Sequence, residues 1–363
     1  MADPQDAPPQ RQAAGRLFGD GILALCILLI VYASLYPFEV WRAPSAMSWA
    51  NLWSRYYAEF DVFLNFLSYV PLGFLVAASR RHRPGAGTTL AFTVACCAAL
   101  SFAMEGLQLF LPTRVTSLLD WMANTIGAAT GALLGQSPPG AKLRAQAINL
   151  RMNLCLTETA VDAGLLLLVI WLLAQINPSV PFFEAGNMVN RLTASWRINP
   201  YDPLFLIPQI VGVGLNVCGF ALFISILLKS GVRAIYVVAI VLALGLGLKL
   251  IAAGLMLKAP LLENWLGPAS VLGLALGLFA ALPLFSLQRH VRVFIALLLV
   301  FAGGLMSKMA SIYDGFDAML RLFDWRHGQL SNFARLTRYL HEVWPLMVLA
   351  FLAYCYVRRR AEN

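Results

Sequence analysis

Apolar residues in this chain come in blocks of about twenty, separated by arginines and lysines. A water-soluble core does not ask for uninterrupted runs of that length. A helix rising about 1.5 Å per residue does, if it is to cross a hydrocarbon layer. Only 12% of the 363 residues are charged and 60% are hydrophobic, whereas a soluble domain is nearer a quarter charged. Membrane barrels alternate apolar and polar residues along each strand, and these runs do not. The fold class is therefore an all-α polytopic membrane protein.

The first run, Gly19–Pro37, has acids ahead of it and no small-residue cleavage site behind it, so it reads as an uncleaved span. The others fall at about 62–79, 89–111, 118–135, 159–177, 204–228, 232–257, 264–286, 291–307 and 343–357, which makes about ten transmembrane helices. With the N-terminus inside, the inner segments hold fifteen Lys/Arg and the short outer links six. That asymmetry places both termini in the cytoplasm. The long outer loop 308–342 carries five more, and long loops count weakly in this rule. The resulting plan is a cytoplasmic tail 1–18, a four-helix unit 19–136, a basic cytoplasmic linker 137–157, a second four-helix unit 158–287 and two extra spans in 288–363. Two amphipathic stretches are expected as surface helices: one along Trp49, Trp53, Tyr56 and Phe60, the other along Phe316, Met319, Leu320 and Phe323.

Charge and cysteine usage narrow the function classes. The net charge of +9 is scattered over the ends of apolar runs, which is anchoring, and it forms no basic stripe for nucleic acid. Six cysteines make no C-x-x-C and four histidines are isolated, so no metal-ligand spacing and no cofactor motif is present.

Three spans carry polar pairs near one end: Asp61/Asn65, Glu105/Gln108 and Asp120/Asn124. Each pair lies three or four residues apart and so shares a helix face. The topology brings all three pairs to the outer side, with Asn65, Glu105 and Asn124 roughly 5–10 Å below the interface. Between the second and third pairs lies Leu-Pro-Thr-Arg-Val-Thr-Ser. Pro112 ends one helix, Thr116 or Ser117 caps the next with Asp120 as a capping-box acid, and Arg114 reaches back over the pocket. There Arg114 can pair with Glu105 or Asp120, or grip a phosphate or carboxylate. Gly127, Gly131 and Gly135, four apart, leave one side of their helix bare for a close neighbour. A purely structural reading also exists: Asp61 and Asp120 as interfacial caps, Arg114 as a headgroup anchor, Asn65 and Asn124 as interhelical hydrogen-bonders. Glu105 resists it, because an unpaired carboxylate more than a turn inside a span is costly.

These residues resemble the VanZ-like family over about residues 20–136. The matching elements are Ser34-Leu35-Tyr36-Pro37-Phe38, Asp61 and Asn65 with Val70-Pro71-Leu72-Gly73-Phe74, Glu105-x-x-Gln108, Pro112-x-Arg114, Asp120 and Asn124-x-x-Gly127. The resemblance implies a cell-envelope protein of the bacterial cytoplasmic membrane, associated with teicoplanin-type antibiotic resistance, and names no reaction.

The second half echoes the first. Val180-Pro181-Phe182-Phe183-Glu184 parallels Leu35-Tyr36-Pro37-Phe38-Glu39, Asp202, Asn216 and Gly219-Phe220 parallel Asp61, Asn65 and Gly73-Phe74, and Trp265 parallels Trp121. A degenerate direct repeat of the four-helix unit is expected, with Lys249 opposite Glu105.

Three functions fit. The first is a binder of an amphiphile at the outer leaflet: a membrane lipid, a lipid-linked cell-wall intermediate or a glycopeptide-type molecule, held by Asp61, Asn65, Glu105, Gln108, Arg114, Asp120 and Asn124. The second is a transporter or flippase of a lipid-linked precursor, which repeat architecture favours. The third is a headgroup-modifying enzyme with Glu105 as its acid/base. No histidine, G-x-S-x-G or metal set accompanies Glu105, which weighs against the enzyme.

Overall fold

A twenty-residue apolar block has one low-energy conformation in lipid, the helix that satisfies its own backbone. The computed structural model describes residues 9–36, 38, 41–44, 59–80, 85–177, 182–183, 203–256, 268–310 and 328–362. Among these, eleven helices and no strands occur: α1 Pro9–Leu35, α2 Glu59–Ser79, α3 Ala86–Gln108, α4 Leu118–Gln136, α5 Pro138–Leu154, α6 Thr159–Ala174, α7 Pro203–Leu227, α8 Ala234–Met256, α9 Pro268–Leu284, α10 Arg289–Ala310 and α11 Gly328–Glu362. Ten stand where spans were expected. Seven are long and apolar enough to cross a membrane, and the apolar stretches in α6 and α9 are shorter. The tenth, α4, has the length, but Asp120, Asn124 and its glycines dilute its apolarity. The protein is an all-α polytopic membrane protein. The linker 137–157 differs from expectation in being mostly helical, as α5, whose sequence mixes polar and apolar residues with no apolar face. The surface helices expected around Trp49–Tyr57 and Phe316–Phe323 lie outside the described residues, as do Asp202 and Trp265.

The chain divides into two compact units, Met1–Asn153 and Leu154–Asn363. In the first, α2 and α4 run parallel and in intimate contact. A Cβ on Gly127 would strike the carbonyl oxygen of Phe66, one on Gly131 that of Val70, and one on Gly73 that of Ala128. Gly135 continues the ladder, its missing Cβ 3.1 Å from the Phe74 oxygen. The bare side read from the sequence thus has α2 as its neighbour. Helix α3 packs antiparallel to α4, with the Trp121 Nε1 donating to the Ala98 oxygen at 3.0 Å. Ile30 of α1 joins Tyr69, Leu72, Cys97 and Ala128 in a buried cluster.

In the second unit α7 is central: 72% of Ile207–Leu227 is buried, against 22% of Ala234–Gly254. Gly273 and Gly277 of α9 face α7, their missing Cβ atoms 2.8 Å from the Ile210 oxygen and 2.6 Å from the Gly214 oxygen. Gly219 turns instead to Val300 of α10. Trp171 packs at a tilt on Phe220 with centroids 4.3 Å apart, and the buried Trp344 of α11 donates its Nε1 to the Leu167 oxygen at 2.8 Å. Lys249 is buried in α8 and donates to the Asn177 oxygen at 2.8 Å.

Candidate functional site

The loop between α3 and α4 organises one end of the first unit. Ser117 is the N-cap of α4, its Oγ accepting the Leu119 N–H at 3.2 Å. The Ser117 N–H, which a capping box would give to an acid one turn on, is taken by Glu105 of α3, at 3.0 Å to Oε2. Asp120, the expected capping-box acid, is thereby released from that role. It meets the Asn65 side chain from α2 and lies near Asp61. The reason is reach: an acid one turn down α3 stands beside the loop, and Asp120 turns toward α2.

Glu105 senses the charges of Asp120 and Arg114, so Asp61, Asp120, Glu105 and Arg114 form one electrostatic group contributed by α2, α3, α4 and the loop. Arg114 differs from the pocket-covering clamp expected of it. Its Nε donates to the Tyr36 oxygen at 3.0 Å and its Nη2 to the Ala33 oxygen, so it closes the last turn of α1. A cation is favoured there by the free carbonyls of a helix C-terminus. Burial works against its charge and Glu105 works for it. Gln108 makes the same kind of tie, Nε2 to the Ser34 oxygen at 3.0 Å. Two of the seven expected ligand-binding residues therefore use named hydrogen bonds to hold α1.

Deeper in, the buried Asn124 donates its Nδ2 to the Ser101 Oγ at 2.9 Å. Its Oδ1 is buried without a hydrogen-bond partner, as is the Oδ1 of Asp61. The buried Tyr69 hydroxyl stands beside Ser101 and Glu105 without a hydrogen bond of good geometry. Ser101 and Tyr69 were missed in the sequence. A signal existed, since each lies one helical turn from a named residue: Ser101 before Glu105, Tyr69 after Asn65. Among the described residues, no three His, Cys, Asp or Glu stand together as a metal-holding group.

With this geometry in view, comparison with known families is specific. Residues 17–136 match the VanZ/LLP1 family model. The matched segment contains α2 to α4 and all but the start of α1, which are the elements that build the polar group. The unit is VanZ-like, in agreement with the resemblance in its motifs. Neither a curated protein nor a solved structure matches the chain.

Proposed function

We propose that this VanZ-like membrane protein binds the polar head of an amphiphile between α2, α3 and α4, at the outer face of the bacterial cytoplasmic membrane. The observation that carries the reading is an excess of acceptors. The Oδ1 atoms of Asp61 and Asn124 are buried without a donor, and the Asp120 carboxyl lies within electrostatic reach of both Asp61 and Glu105. Arg114 and Gln108, the side chains expected to supply donors, spend hydrogen bonds on the α1 carbonyls. Orphaned buried acceptors cost free energy that a ligand's donors restore. The head this niche favours is rich in hydroxyl or amino groups, as in a lipid-linked sugar or a glycopeptide with a lipid tail. A head that offers only a phosphate or carboxylate fits it poorly. Capture of such a molecule at the outer leaflet is a route by which the protein contributes to teicoplanin-type resistance.

The test is purification of the full chain in native lipid, with mass spectrometry of the molecules that co-elute. Wild type is compared with Asn124→Ala and with Glu105→Gln, which keeps an oxygen for the Ser117 N–H. The expected result is an amino- or hydroxyl-rich amphiphile enriched in wild type and depleted in both variants. The same profile in all three sinks the proposal. In parallel, expression in a susceptible host should raise the teicoplanin concentration needed to stop growth, and Glu105→Gln should cancel the rise.

A further inference from the structure

The second unit contains a cavity of about 760 Å³ where the ends of four helices meet, lined among others by Glu158, Arg289, His290, Arg292, Tyr354 and Arg358. It lies at the start of α6, the end of α7, the start of α10 and the end of α11. These are ends that the lysine and arginine distribution places on the cytoplasmic side. Three arginines face one glutamate. Arg289 is committed: its Nη1 and Nη2 donate to the Glu158 carboxylate at 2.6 and 3.1 Å, and its Nε to the Ile226 oxygen at 3.2 Å. One acid against three arginines leaves the lining with a net positive charge. Arg292 gives Nη1 to the Ser225 oxygen at 3.0 Å, while its Nε is buried with no hydrogen-bond partner. Arg358 lies at the exposed end of α11 and is followed by two further arginines.

We propose that this cavity binds the phosphate group of an anionic phospholipid from the inner leaflet. Charge complementarity argues for an anion, since a guanidinium with an unmet N–H is suited to an oxyanion. Size and wall chemistry argue for a lipid. The volume is that of a small-molecule site, and Leu156, Leu228 and Val293 make an apolar side to it. Phe294 and Tyr354, next to the basic rim, are exposed on helices that continue into the membrane, so an acyl chain has a surface to lie along. Basic pockets between helices at the cytoplasmic face are suited to anionic headgroups. The site is independent of the niche in the first unit. It differs in chemistry too, being a donor-rich site for an anion.

The experiment compares the full chain in nanodiscs of phosphatidylcholine alone with nanodiscs of phosphatidylcholine plus phosphatidylglycerol, reading thermal midpoint and lipid retained by native mass spectrometry. A third arm adds inorganic phosphate to the phosphatidylcholine discs. Wild type should retain phosphatidylglycerol and be stabilised by it. Arg292→Ala and Arg358→Gln should each weaken retention, by roughly fivefold per arginine. Arg292 also ties α10 to α7, so Arg358→Gln, at an exposed position, keeps the test decisive if Arg292→Ala fails to fold. Retention of phosphatidylglycerol by Arg358→Gln equal to wild type overturns the proposal. So does stabilisation by inorganic phosphate as large as that by the lipid, which makes the cavity a site for a free anion.

Discussion

Each unit lays two glycines of one helix, four residues apart, over two carbonyls of a parallel helix. Gly127 and Gly131 of α4 cover Phe66 and Val70 of α2; Gly273 and Gly277 of α9 cover Ile210 and Gly214 of α7. A second likeness is stranger. Two described residues other than glycine have positive φ, Phe38 at 63° and Phe183 at 59°, a conformation that costs a bulky residue energy. They are the residues that the sequence paired, each following the first apolar helix of its unit. A degenerate repeat of the four-helix unit would account for both likenesses, on a register that differs from the sequence one in its second helix. Gly219, paired there with Gly73, faces α10, and Ile210 and Gly214 take the places of Phe66 and Val70.

What differs is polarity. With the two glycine seams aligned, Gln209 and Val213 take the places of Asn65 and Tyr69, and Ser270 that of Asn124. The ionisable groups inside the helices also differ, unit 1 holding the half-buried Glu105 and unit 2 burying Lys249 and Asp162. Unit 1 keeps Glu105 against the Ser117 N–H and unit 2 keeps Lys249 against the Asn177 oxygen. The seam is a packing device and survives loss of the polar group; the polar group is not needed to make the seam. That separability is why the polar residues of unit 1 call for a functional explanation.

The largest expected effect tests the shared device. Gly131→Leu and Gly277→Leu each push a side chain into a backbone carbonyl that has no room to yield, and each should cost about 3 kcal/mol or more. Thermal unfolding and the yield of monodisperse protein report it. Tolerance of Gly277→Leu with collapse of Gly131→Leu breaks the equivalence of the seams. Next come the buried ions. Glu105→Ala removes one hydrogen bond from the half-buried Ser117 N–H and Lys249→Ala one from the buried Asn177 oxygen, each worth about 1–3 kcal/mol. Glu105→Gln should stay close to wild type in stability while losing the co-eluting ligand. Loss of stability without loss of ligand makes Glu105 a loop fastener only.

Much of this was legible in the sequence because helices and glycine ladders are periodic. The apolar blocks located ten helices, and the four-residue spacing of Gly127, Gly131 and Gly135 located the seam. The polar pairs named most side chains of the polar group of unit 1. Partners that carry no side-chain signature were not legible. Arg114 and Gln108 bind carbonyls of Ala33, Tyr36 and Ser34, and any residue supplies a carbonyl. The cap of α4 was half-read for a similar reason: Ser117 is local, but the acid that completes it comes from another helix.

The same point gives the third prediction. Arg114 closes the C-terminal end of α1 and Arg289 that of α7, both through terminal carbonyls. Arg114→Ala and Arg289→Ala should each cost about 1–2 kcal/mol, read as faster amide hydrogen exchange confined to the last turn of α1 or of α7. Exchange that quickens across α2 to α4 in Arg114→Ala shows instead that the arginine holds the niche together through Glu105.

The smallest effect is expected where unit 1 is made to resemble unit 2. Asn124→Ser installs the residue that unit 2 carries at Ser270, itself buried with its hydroxyl unpartnered. The change removes the hydrogen bond to Ser101 and, with it, the orphaned Oδ1. One loss is about 1 kcal/mol and the other a comparable gain, so stability should move by less than about 1 kcal/mol. The co-eluting amphiphile should nevertheless fall away, because the acceptor that faces it is gone. If Asn124→Ser retains the ligand while Glu105→Gln loses it, the niche is centred on Glu105 and Asp120, and Asn124 belongs with the seam. If the variant is markedly unstable, Asn124 is a structural hydrogen-bonder of the kind that two packed membrane helices use, and its difference from Ser270 records the packing of α3 on α4 rather than the binding of a ligand.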